Sequence, residues 1–167
     1  LEFRRVLFRS PGALLHAAAP QRLSFLAFCA ANVLIDIEPG WYMLRDDPPL
    51  HRFMHTLPGA ALAAMATLLL YLALRRLATR MPLPDTFGWQ GLHLTAVAMG
   101  AIAGAFTHLL LDGVMHTDIH PLRPFSEANP LYQWIPLDAL HWARAVSGGL
   151  ALLALGLRAR WTWRRAR

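Results

Sequence analysis

The 167-residue sequence contains no lysine; all 16 of its basic residues are arginine. That excludes a Schiff base, a P-loop lysine and a lysine general base. Cysteine is nearly absent too. Cys29 stands alone, which rules out an internal disulfide and any zinc site built from several cysteines. Charge is scarce: Asp, Glu, Lys and Arg make up 16% of the chain, against about 25% in an ordinary soluble domain. What replaces it is apolar residues, 56% of the chain, with a mean hydropathy of +0.35. They fall in long blocks, the pattern of a membrane protein.

A pI near 11.0 raises the question of nucleic acid. The arginines are not interleaved with aromatics on one element, however. They flank apolar blocks, as the positive-inside rule requires, so nucleic acid is not an expected partner. The expected contact is membrane lipid.

Leu1–Ser10 (LEFRRVLFRS) fits nothing downstream and is expected to be a non-native N-terminal stretch. The membrane domain is expected over 11–157, followed by a basic cytoplasmic tail at 158–167. Four apolar blocks stand out, at about Leu23–Ile37, Phe53–Leu74, Leu92–Leu111 and Ala139–Leu157. A bilayer core takes roughly 20 helical residues, so the first is short. Pro39-Gly40 is expected to end the first helix, and Gly113–Pro136, with its prolines, to be irregular. Gly100 and Gly104 in the third block form a small-xxx-small pattern that admits another helix closely.

Arg22 precedes block one, Arg75, Arg76 and Arg80 follow block two, and five arginines follow block four. The other two loops hold the acids. Positive-inside therefore predicts an all-α, four-helix integral membrane bundle with both termini cytoplasmic. The acidic loops then face outward, where Trp41, Tyr42, Tyr132, Trp134 and Trp142 form an interfacial aromatic belt.

Chemistry gathers at that same face. His51 and His55 are four apart at the start of block two, which on a helix places both on one side for metal chelation. His108 and Asp112 are four apart at the end of block three, as a ligand pair or a ligand with its orienting partner. Asp36 closes block one. Glu38, two residues on, points to the opposite side of a regular helix. Asp36, His51, His55, His108 and Asp112 thus converge from three helices on a mononuclear or dinuclear site. Histidine with carboxylate suits Zn²⁺, with Mn²⁺ and Fe²⁺ as alternatives. His116, Asp118 and His120 extend the site or line its mouth. Arg52 and Arg123 are candidates to clamp an anionic substrate such as a phosphate.

The runs D-I-E-P (Asp36–Pro39), H-R-F-M-H-T (His51–Thr56) and H-L-L-L-D (His108–Asp112), in that order, resemble the YdjM-like family. That family is described as membrane-bound, metal-dependent hydrolases. The resemblance covers about Pro11 to Leu157, and Met115–Leu131 is similar to a subgroup. It implies His51, His55, His108 and Asp112 as ligands, with Asp36 a ligand or the general base. It also implies, through a distant fold analogy, phosphoester hydrolysis. Two motifs depart from the common pattern: Phe53 and Met54 stand where many members have Gly and Thr, and no His lies between Glu38 and Pro39. Members also carry a His near the N-terminus, a place that falls here in Leu1–Ser10, which has none.

Two functional classes follow. In a hydrolase, a metal activates water, Asp36 or Asp112 takes the proton, and the substrate is an amphiphilic or anionic ester or phosphoester. The alternative is a non-catalytic membrane protein with a structural metal or polar network, or a small metal- or proton-handling transporter.

Overall fold

A computed structural model of the chain describes residues 22–143 and, further on, 145–147, 149–150, 153 and 157. Leu1–Ser10, His16 and the tail from 158 lie outside the described residues, as do seven of the nineteen residues of the fourth apolar block. The described residues contain no strand. Among the described residues, three long helices carry the fold: α1 (Phe25–Leu44), α2 (Leu57–Ala78) and α3 (Leu94–Met115). The chain is helical again at 137–143, where the fourth block begins.

Among the described residues, only α2 and α3 are both long and apolar enough to cross a membrane, and fewer than half the residues of either apolar window are buried. Leu62, Met65, Leu69 and Leu70 of α2 face outward, as do Leu94, Met99, Ile102 and Leu110 of α3. A core helix of a soluble protein would bury such side chains; here they suit contact with lipid. The interior is lined by small residues instead: Ala27, Ala31, Ala60, Ala63, Ala64, Ala101 and Ala105. An alanine interior brings backbones close, which is how helices associate where lipid removes the hydrophobic drive.

The α1–α3 crossing shows this most clearly. A Cβ on Gly100 would run into the Ser24 carbonyl oxygen, and one on Gly104 into that of Phe28. Ser24 also donates its backbone N–H to the Ala96 carbonyl (2.8 Å). The two helices start together and run side by side, so their C-terminal ends share one end of the fold. Gly104→Ala should push them apart, because its neighbour is backbone and cannot swing away. The expected result is a lower melting temperature in detergent with helicity retained; an unchanged melt would show that the crossing has slack.

Two expectations from the sequence are corrected. First, Pro39-Gly40 does not end α1, which continues to Leu44 with Pro39 buried inside it. The missing proline N–H costs one hydrogen bond, to the Ile35 carbonyl, and apolar helices accommodate such a loss. The stop comes at Asp46, whose φ of 51° is left-handed, just before Pro48-Pro49. Second, α2 does not begin near Phe53. Thr56 is its N-cap, accepting a hydrogen bond from Gly59 N–H (3.1 Å), and Pro58 lies in its first turn. An earlier start would place the Pro58 ring against the Met54 carbonyl. Phe53–His55 forms a separate 3-10 turn instead, so His51 and His55 do not share a helix face. That turn folds back so tightly that a Cβ on Gly59 would strike the Phe53 carbonyl oxygen.

Candidate metal centre

Asp36 lies four residues past buried Asn32 on α1, while His108 and Asp112 lie one turn apart near the end of α3. His55 enters from the turn that precedes α2. The His108 Nε2 atom is 3.1 Å from Asp112 Oδ2 and 3.3 Å from Asp36 Oδ1, and His55 Nε2 is 3.4 Å from Asp112 Oδ2. One donor atom from each of the four residues lies within 4.8 Å of every other. His55, His108 and Asp112 are buried; Asp36 is half exposed.

These spacings fit a cation better than direct pairing. Charge-assisted N–H···O bonds run at about 2.7–2.9 Å. A tetrahedral ion with donors about 2.0–2.1 Å away sets donor–donor edges of about 3.3 Å. Further, His55 Nδ1 and Asp112 Oδ1 are buried without a hydrogen-bond partner. Leaving such atoms unsatisfied is costly, which marks the pocket as built around something more than its own side chains.

The orientation of His108 is fixed by Asn32, a residue that sequence reasoning missed. The Asn32 amide donates to the Phe28 (2.8 Å) and Gly104 (3.3 Å) carbonyls, which assigns its nitrogen. Its Oδ1 therefore faces His108 Nδ1 at 3.0 Å and accepts that N–H. Nε2 is then left with its lone pair toward the two carboxylates. A lone asparagine inside an apolar block, one turn before Asp36, was the available signal. Asn32→Leu should keep the helices packed and weaken metal binding by about 10–100-fold, the usual cost of losing an orienting partner. Equal affinity in a metal titration would remove Asn32 from this role.

Glu38 sits on the other side of α1 and holds a different element. Its carboxylate accepts the backbone N–H groups of Phe53 (3.1 Å) and Met54 (2.7 Å), so α1 fixes the turn that carries His55.

His51 belongs elsewhere. It groups with His116 and Asp118, again with one donor atom each within 4.8 Å. Its Nδ1 is 3.0 Å from both Asp118 carboxylate oxygens, and Asp118 Oδ2 also accepts the Leu50 and His51 N–H groups (both 3.2 Å). Partial burial disfavours charge on Asp118, yet the His51 ring and backbone bonds hold its carboxyl below the usual range. The two groups adjoin: the His51 ring is 4.6 Å from those of both His55 and His116, and His55 is 5.5 Å from His108.

Neither arginine points at this chemistry. Arg52 lies over the Tyr42 ring (3.6 Å), pairs with Asp47 (3.0 Å) and donates to the Pro49 carbonyl. Arg123 pairs with exposed Glu127, whose carboxyl it holds below the usual range. His120 Nδ1 meets the Glu127 carbonyl oxygen at 2.5 Å and joins neither histidine group.

The family model described as YdjM inner membrane protein matches residues 9–166. No curated protein and no solved structure matches the chain. The family's description and the outward-facing apolar helices agree on a membrane location. A match over nearly the whole chain leaves one conclusion: it belongs to the YdjM inner membrane protein family.

Proposed function

We propose that the chain is a multi-pass membrane hydrolase whose activity depends on a divalent cation, most simply Zn²⁺, held by His55, His108 and Asp112, with Asp36 beside it and the fourth position open to water. The observation that carries this reading is the set of 3.1–3.4 Å separations among carboxylates and ring nitrogens beside buried, unsatisfied polar atoms. When bound, such an ion acidifies water enough to furnish a nucleophile near neutral pH.

The protein's own groups divide the remaining tasks. Asp112, buried between two imidazoles, holds charge and aligns both rings. His108 is locked in one tautomer by Asn32. Asp36 reaches both the His108 ring and solvent, so it is the carboxylate placed to take a proton from attacking water and release it outward. The site lies at the end of the fold where α1 and α3 terminate. In the four-span orientation drawn from the arginines, that end is the extracytoplasmic surface of the membrane, where the scissile bond of an amphiphilic ester or phosphoester would meet it.

The test is hydrolysis of p-nitrophenyl esters and bis(p-nitrophenyl) phosphate by detergent-purified protein. Turnover with Zn²⁺, lost with chelator and in Asp36→Asn, is the expected result. A folded, metal-loaded protein inert to both substrate classes would favour the structural-metal alternative, for which the burial of His55 and Asp112 is the specific support.

A further inference from the structure

The second histidine group has no task in that scheme, and its composition is that of a ligand set. His51, His116 and Asp118 come from three separate places: the strap before the 3-10 turn, the C-cap of α3, and the loop beyond it. Each is partly buried, with donors converging within 4.8 Å, and the His51 ring touches that of His55 across a shared wall.

A charge argument says what such a site would do. One divalent ion beside Asp36 and Asp112 is neutralised by those two carboxylates. The arginines nearest in sequence are already matched, Arg52 by Asp47 and Arg123 by Glu127. That arrangement gives an anion little to bind. A second divalent ion brings the total to four positive charges against three carboxylates, counting Asp118, and leaves the centre net positive. Paired ions are also suited to gripping two oxygens of one phosphoryl group.

We propose that His51, His116 and Asp118 bind a second divalent cation beside the first, and that this ion, rather than an arginine, recognises an anionic phosphoryl oxygen of the substrate. This deepens the hydrolase reading and rests on it. The Asp118 contacts to the Leu50 and His51 backbone then have a double purpose, fixing the strap and presenting the ligands.

The experiment is Zn²⁺ titration by calorimetry of metal-stripped, full-length protein in detergent, for wild type, Asp112→Asn, His116→Ala and the gentler His116→Gln. Circular dichroism and elution volume report folding. Inorganic phosphate is then titrated into each Zn²⁺-loaded protein. The expected result is two ions in wild type and one in each variant. Phosphate should bind at least about tenfold more weakly to the His116 variants, since a lost charge-assisted contact is worth about 1.5–3 kcal/mol. One ion in wild type, lost in Asp112→Asn and retained in both His116 variants, overturns the second site and leaves the first standing. One ion lost in every variant means a single shared site and also overturns it. No ion in wild type ends both readings. Two ions with unchanged phosphate affinity in the His116 variants defeat the anion role.

Discussion

Asp112→Asn is expected to abolish metal binding at the His55–His108 pocket and any hydrolysis with it. The substitution is nearly isosteric, so helix packing around α3 should persist. What disappears is the negative charge that one buried oxygen presents to both imidazoles, 3.1 and 3.4 Å away. Losing a mere orienting partner costs about 10–100-fold in affinity, and losing an anionic ligand costs more, so the dissociation constant should rise by more than about 100-fold. Metal content after gel filtration measures it. An Asp112→Asn variant that holds metal as well as the parent would show Asp112 to be a helix-pinning hydrogen-bond partner.

Removing the metal altogether should destabilise the fold. His55 Nδ1 and Asp112 Oδ1 have no hydrogen-bond partner in the buried pocket, and a buried carboxylate without a compensating cation is unfavourable. An ion present at a hundred times its dissociation constant adds about 2.7 kcal/mol. For a chain of this size that corresponds to about 5–10 °C in melting temperature. A thermal melt in detergent, with and without a chelator, reads the shift directly. Coincident curves would mean that the three helices hold the pocket's geometry unaided. The measurement also separates two roles: a large shift without turnover points to structural metal, and turnover with a small shift to catalysis.

The pattern of blocks and arginines made the membrane character legible, because the cost of placing charge in hydrocarbon acts on composition directly. Gly100 and Gly104 were legible as a close helix approach, since small residues leave a visible spacing. The starts and stops were harder. Pro39-Gly40 carries the usual stop signal, yet α1 runs through it to Leu44, and the chain turns away only at left-handed Asp46. Thr56 with Pro58 is the start signal for α2, and it overrides the helical His–x3–His spacing just before it.

The sequence by itself determined an apolar, lysine-free, single-cysteine chain and the residue types from which a metal site could be made. It also pointed Asp36, His51, His55, His108 and Asp112 to one end of the fold, because each lies where an apolar block opens or closes. Only the tertiary structure decided how the candidates sort. His51 and His55, neighbours in sequence, face different groups because Pro58 keeps them off a common helix. Asn32 and Asp118 acquire their histidine partners through contacts spanning 76 residues in one case and 67 in the other. Periodicity describes the faces of one helix at a time. Which faces meet depends on how closely the backbones pack, and here glycine and alanine set that distance.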